Sequence, residues 1–131
     1  MSDAQNPAMN PALEALVDNY IAAWNATDPQ VRAAKVAATW TEVATYKDPM
    51  MAGEGHAGIA AMIAGAQSNF PGLVFRRRGD LDAHGDVIRF SWDLGPHGAP
   101  AIAGGTDFGV LKDGRLATVT GFLDFAPSGA A

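Results

Sequence analysis

Two aspartates stand in sequence surroundings that could give them unusual acid–base behaviour. Asp48 precedes Pro49 at the end of a strand-forming run, beside a loop rich in glycine and methionine. Asp107 lies in the middle of a run of glycines and apolar residues, where a carboxylate needs an explanation. A carboxylate near water stays ionised, whereas burial in an apolar wall raises its pKa until it can donate a hydrogen bond. A site with one of each could carry acid–base chemistry.

The absence of cysteine and the positions of the three histidines argue against thiol chemistry and metal sites. The chain has no cysteine, so disulfides, thiolate nucleophiles and cysteine metal sites are impossible. His84 and His97 fall in predicted turns and His56 opens a predicted helix, and no two of them have a spacing that suits one metal ion. We therefore expect no metal centre.

The charge distribution argues against nucleic acid as a partner. The formal net charge is -5, and the only basic cluster is Arg76, Arg77 and Arg78. Phosphate backbones are bound by an electropositive surface, which this composition does not provide. We interpret the arginine run as part of an edge strand, where charged side chains prevent sheets from aggregating.

Helices are predicted in the first half of the chain. Apolar residues at steps of three and four predict an amphipathic helix over residues 11–26. Asp28 followed by Pro29 is a typical helix start, so a second helix is expected over residues 29–39. A third apolar helix ends near Asn69.

Strands are predicted mainly after the helices. A short strand over residues 43–46 is followed by a loop over residues 50–55. Further along the chain the apolar pattern changes to period two, which predicts strands over residues 73–78, 87–94, 101–111 and 116–125. This order predicts an α+β fold in which three N-terminal helices pack on one face of a curved antiparallel sheet of about five to six strands.

The length of the chain, 131 residues, predicts a single domain. We place this domain at residues 11–126, between a flexible leader (1–10) and a flexible tail (127–131). The N-terminus has neither the basic nor the apolar region of a signal peptide, and no stretch has the length of a membrane span. A cytoplasmic protein with no membrane partner is expected.

Four sequence motifs carry a family resemblance. They are Tyr20 to Trp24 followed by Thr27-Asp28, Trp40 to Pro49, Gly55-His56 before Ile59 to Ala61, and Asp113 to Leu116. In order and spacing the chain resembles the ketosteroid-isomerase and SnoaL-like group of the nuclear-transport-factor-two-like superfamily, over residues 13–125. The resemblance implies a cone-shaped domain with an apolar pocket between the concave sheet and the helices, and a homodimer formed through the sheet's other face.

The resemblance also implies catalytic roles. Asp48 matches the aspartate that moves a proton along a steroid enone, while Tyr20 and Asp107 match the donors that stabilise the enolate. Seven further residues are expected to line the pocket: Trp24, Trp40, Met62, Ile63, Phe90, Trp92 and Leu123. Trp40 and Ile63 stand where one branch of isomerases has supporting tyrosines, so an extended hydrogen-bond network is not expected.

Each catalytic candidate also has a structural interpretation. Tyr20 is also consistent with a core residue, Asp48 with a turn former before proline, and Asp107 with a strand residue that faces solvent. Strand parity alone does not decide the last of these. Epoxide-hydrolase chemistry is disfavoured, because Gly105 stands where that chemistry needs an arginine.

Three functions therefore follow as hypotheses. The first is a cofactor-independent, isomerase-like enzyme that abstracts a proton alpha to a carbonyl in a small apolar, steroid- or polyketide-like substrate. The second is a polyketide cyclase of the same fold, for which Asp124 is a further candidate base. The third is a non-catalytic module for small-molecule binding or oligomerisation.

Overall fold

The computed structural model describes residues 10–127 as three helices and one six-stranded sheet. The predicted α+β fold is confirmed. The predicted flexible leader and tail lie almost entirely outside the described residues. In chain order the elements are α1 (Pro11–Asn25), α2 (Pro29–Thr39), β1 (Trp40–Lys47), β2 (Ala52–Glu54), α3 (Gly55–Asn69), β3 (Leu73–His84), β4 (Val87–Pro96), β5 (Ala103–Lys112) and β6 (Arg115–Phe125).

The first two helices begin with the same local device. The Asn10 side chain accepts hydrogen bonds from the first-turn amides of α1, and the Asp28 side chain does the same for α2. A proline follows each cap, where its missing N–H costs nothing and its fixed φ suits the helix. The predicted start of α2 is confirmed.

Side-chain hydrogen bonds hold the C-terminal end of α1, which carries Trp24, against neighbouring elements. The Asn25 amide donates to the Phe75 carbonyl at 2.9 Å and accepts from the Phe75 amide at 2.8 Å. The Gln67 amide of α3 donates to the carbonyls of Trp24 and Ala26 at 2.9 and 2.8 Å. These bonds satisfy polar groups at the helix end and fix α1 against β3 and α3.

The strands lie in the order β2-β1-β6-β5-β4-β3, and neighbours are antiparallel except for the parallel pair β1 and β6. Strand β2 was predicted as loop because its three residues include no strong strand former, and pairing with β1 provides its order. Strand β3 is longer than predicted and continues through Gly79, which has φ 73° at a shift of register. It is an edge strand, as the arginine run indicated.

The sheet has an inner face, which the helices cover, and an outer face. Phe90, Asp107 and Gly121 are paired across β4, β5 and β6 and lie on the inner face. Phe108 and Phe122 lie on the outer face and are 39% and 54% exposed. None of the helices within residues 10–127 is both long and apolar enough to cross a membrane.

Candidate active site

A cavity of about 90 Å³ lies between α1 and the inner face of the sheet. Its walls are mostly aromatic and aliphatic, and exposed Met50 and Ile102 stand at its mouth. Six of the residues predicted for the site line this cavity: Tyr20, Trp24, Asp48, Trp92, Asp107 and Leu123. All three predicted catalytic residues are therefore brought together.

Asp107 is buried in the cavity wall, with only 2% of its surface exposed. The Tyr20 hydroxyl donates a hydrogen bond to its Oδ2, and the Trp92 indole N–H donates to its Oδ1 at 3.1 Å. Burial raises the pKa of Asp107 to about 6, with a further contribution from the charges of Asp48 and Asp124, although the two donors act in the opposite direction. The interpretation of Asp107 as a solvent-facing strand residue is excluded.

Two glycines make room for this arrangement. A Cβ at Gly105 would lie 2.5 Å from the Trp92 ring, so its absence lets the indole lie against β5 and reach Asp107. A Cβ at Gly121 would lie 2.7 Å from Asp107 Oδ1, 3.2 Å from Asp48 Cβ and 3.3 Å from Tyr46 Oη. Gly121 therefore faces the gap between the two carboxyl groups.

Asp48 is half-buried just beyond the end of β1, where three donors hold its carboxyl group. Its Oδ1 accepts from the amides of Met50 and Met51 at 2.8 and 2.9 Å, and its Oδ2 accepts from the Tyr46 hydroxyl at 2.5 Å. The turn-forming interpretation is thus correct geometrically, and the same carboxyl group also lines the cavity. One residue shapes the loop and faces the site.

Two tyrosine–aspartate pairs consequently face each other across Gly121. One pair is Tyr20 with Asp107, and the other is Tyr46 with Asp48. Burial raises the pKa of both tyrosines well above the ordinary value, and the nearby aspartates raise it further. Both hydroxyls therefore keep their protons and act as hydrogen-bond donors at neutral pH.

Four residues predicted for the pocket do not line it. Trp40, Ile63 and Phe90 are fully buried, and Met62 packs against the same core. Phe90 and Trp40 pack against Tyr20, with ring centroids 4.8 and 5.1 Å away, and thus support the donor from the side. Sequence periodicity identifies apolar residues that face inward, but it does not distinguish residues of the packed core from residues of the cavity wall.

Asp124, the further candidate base, lies outside the cavity. Its carboxylate is paired with Arg78 at 2.5 Å and accepts from the Thr106 hydroxyl at 2.7 Å on the outer face. Asp124 follows Gly121 and Leu123 at the alternate position of β6, and it is the unpaired residue of a bulge, since Leu123 pairs with Gly105 and Phe125 with Gly104. Among residues 10–127, no group of three His, Asp or Glu side chains could hold a metal ion.

Tyr46 is the polar cavity residue that the sequence analysis did not select. It is 3% exposed, and it precedes Asp48 by two positions on an extended segment. Side chains two positions apart on a strand lie on the same face, so this spacing was a usable signal. Phe75 and Met51 also line the cavity, although the sequence did not predict them as pocket residues.

Comparisons of the sequence and of the structure with known proteins point to the same family. The family of the SnoaL-like domain matches residues 17–119. A proposed isomerase of the SnoaL-like family from Agrobacterium tumefaciens is 43% identical, with a TM-score of 0.83 and coverage of 88% of this chain and 99% of that one. No curated protein sequence matches significantly.

More distant structures share the fold. A proposed polyketide cyclase from Sinorhizobium meliloti is 18% identical, with a TM-score of 0.64 and coverage of 86% of this chain and 99% of that one. A protein with a ketosteroid-isomerase-like fold from Catenulispora acidiphila, in complex with trimethylamine, is 16% identical. Its TM-score is 0.68, and 86% of each chain is covered. At these identities the likeness concerns the fold alone.

Proposed function

Because the chain belongs to the SnoaL-like domain family, we propose that it is a cofactor-independent, isomerase-like enzyme that moves a proton next to a carbonyl group. The observation that carries the proposal is the convergence of Tyr20, Asp48 and Asp107 on one apolar cavity. Such a cavity excludes water and strengthens hydrogen bonds to charge that develops on a substrate.

In this proposal Asp48 is the general base. Its carboxylate removes the proton from the carbon next to the carbonyl, and the electron pair of that C–H bond forms an enolate. The amides of Met50 and Met51 and the Tyr46 hydroxyl hold the carboxylate in position for the transfer. Asp48 then returns the proton to another carbon of the enolate, so atoms and charge balance over the cycle.

The pair of Tyr20 and Asp107 stabilises the enolate oxygen. When Asp107 is protonated, the pair carries two hydroxyl protons, and the hydrogen bond between them uses one. The other proton is free to point toward the substrate oxygen in the cavity. Since burial raises the pKa of Asp107 to about 6, this neutral form is present below that pH and declines above it.

The cavity size limits what can enter. At about 90 Å³ it is smaller than a dry cavity of about 150 Å³ that accommodates benzene. The carbonyl-bearing end of a substrate therefore fits inside, and any larger part lies at the apolar mouth, where Met50 and Ile102 are exposed. A small ketone or the terminal ring of a polycyclic ketone meets this description.

The proposal is tested with the isosteric variant Asp48→Asn and a matched control, Asp124→Asn on the outer face. Proton transfer is measured by exchange of alpha protons of cyclic ketones in D2O and by isomerisation of 5-androstene-3,17-dione. Loss of a positioned base should lower the rate by about 10²- to 10⁴-fold in Asp48→Asn and leave Asp124→Asn near the wild type. Asparagine can still accept from the Met50 and Met51 amides, so the loop is retained.

Three outcomes would contradict this assignment. A wild-type protein that exchanges no alpha proton and isomerises no ketone is not an enzyme of this class. Equal rates in the two variants would remove Asp48 from the role of base. A rate that rises, rather than falls, as the pH passes through about 6 would indicate that ionised Asp107 is the base.

One observation favours a second candidate function. Both carboxylate oxygens of Asp48 are occupied by donors of its own segment, as expected of a purely structural residue. In that case the chain is a non-catalytic binding module that keeps the cavity. A polyketide cyclase would need the same base and would be distinguished by formation of a carbon–carbon bond.

A further inference from the structure

The cavity contains negative charge without a positive partner. Asp48 and Asp107 line it, and no lysine, arginine or histidine of residues 10–127 does. Buried carboxylates in proteins are usually paired with a cation, because an unpaired buried charge is costly. Around Asp107, Tyr20 of α1 and Trp92 of β4 are neutral donors.

The other charged or titratable groups near Asp107 do not compensate it. Tyr46 and Asp48 face it from the β1 side, and Asp124 of β6 acts on it from the outer face. Of these three groups, Asp48 and Asp124 are carboxylates, whose negative charges repel an ionised Asp107. Within the described part of the chain, the cavity walls therefore contain no positive charge that would balance these carboxylates.

Aromatic rings form a continuous wall around the same space. Trp24 packs against Tyr46 and against Phe75, with centroid distances of 5.4 Å in both cases. Phe75 packs against Trp92, also at 5.4 Å. All four rings line the cavity. Faces of such rings attract organic cations, and walls of several rings recognise alkylated ammonium groups.

We propose that this cavity binds small hydrophobic ammonium cations, tertiary or quaternary, with the alkyl groups against the four rings and the charge facing Asp107 and Asp48. This ligand class goes beyond the proposed proton transfer, because a carbonyl oxygen needs neutral Asp107 whereas an ammonium group needs the ionised form. Since burial raises the pKa of Asp107 to about 6, the ionised form dominates at pH 8. A trimethylammonium group has four heavy atoms, which suits a cavity of about 90 Å³.

The test uses three probes of nearly the same shape and different charge. Choline is the cation, 3,3-dimethyl-1-butanol is the neutral counterpart and 3,3-dimethylbutanoate is the anion. Binding is followed by NMR through the indole N–H signals of the three tryptophans, two of which line the cavity. The Trp92 signal is the most direct, because that N–H is bonded to Asp107.

At pH 8 choline should bind at least about tenfold more tightly than the neutral probe, and the anion should not bind detectably. The preference for choline should shrink at pH 5, where Asp107 is mostly protonated. Asp107→Asn should lose most of the preference at pH 8, while the outer-face control Asp124→Asn should keep it. The wild-type comparison between the two pH values does not depend on the folding of any variant.

Equal affinity for choline and the neutral probe would overturn the proposal, as would no binding of choline at all. A preference that Asp107→Asn leaves unchanged would place the cation elsewhere and overturn it too. Ketone proton exchange without choline binding would remove this inference alone. Choline binding without ketone exchange would leave this inference standing and remove the proposed enzymatic function.

Discussion

The burial of Asp107 should make the stability of the protein depend on pH in a defined way. Its pKa rises from 3.8 to about 6 in the folded state, and each unit corresponds to about 1.4 kcal/mol. The difference amounts to about 3 kcal/mol. Because the folded state holds the proton more tightly, this stabilisation is fully present below about pH 4 and is lost as the pH rises through 6.

Asp107→Asn isolates this contribution, because the amide has no proton to lose over this range. Its carbonyl oxygen can still accept from Trp92, and its NH2 group can donate to the Tyr20 hydroxyl. Urea denaturation of both proteins from pH 4 to pH 8 gives two free energies of unfolding at each pH. All other carboxylates are common to the two proteins, so their effects largely cancel in the difference.

The free energy of unfolding of Asp107→Asn, relative to the wild type, should increase by about 2 to 3 kcal/mol from pH 4 to pH 8. A difference that stays constant within about 0.5 kcal/mol would refute the reasoning, since the folded-state pKa of Asp107 would then be ordinary. A difference that decreases with pH would reveal a cation near Asp107.

Two further predictions concern the space around the site and the outer face. Gly121→Ala should lower the proton-transfer rate at least about tenfold and destabilise the fold by about 1 to 3 kcal/mol, because its Cβ would collide with Asp107 and crowd Asp48. Gly65→Ala, on an open helix surface, is the control, and a wild-type rate in Gly121→Ala would argue against this crowding. Phe122 is 54% exposed on the outer face, where we expect the homodimer contact, so Phe122→Asp should give a monomer in light scattering after size exclusion. A wild-type protein that is monomeric at every concentration would make the dimer prediction wrong.

Much of the fold was predictable because local signals agree with the tertiary structure. The start of α2 at Asp28 and Pro29 and the hairpin turns of the last four strands depend on neighbouring residues. Strand β2 and the parallel pairing of β1 with β6 were not predictable in this way. Both depend on contacts between distant segments, and their own residues carry weak signals.

The site was predictable in its residue types rather than in its geometry. Glycines stand two positions before and after Asp107, at Gly105 and Gly109, and they remove the usual alternation of apolar and polar residues, so its face could not be read from its own strand. Its burial follows from the pairing of β5 with β4 and β6 and from Tyr20, which lies 87 positions away. The division of the aromatic residues between core and cavity depends on the same long-range packing.

The parallel pairing of β1 with β6 affects how the protein forms during synthesis. Strand β1 is made early, yet its neighbour in the sheet is the last strand of the described structure. Until β6 has left the ribosome, one edge of β1 has no partner, and the two tyrosine–aspartate pairs cannot meet across Gly121. At a translation rate of about 5 to 20 residues per second, the nascent chain exposes that edge for several seconds. Chaperones that shield unpaired strands have their clearest opportunity in this interval.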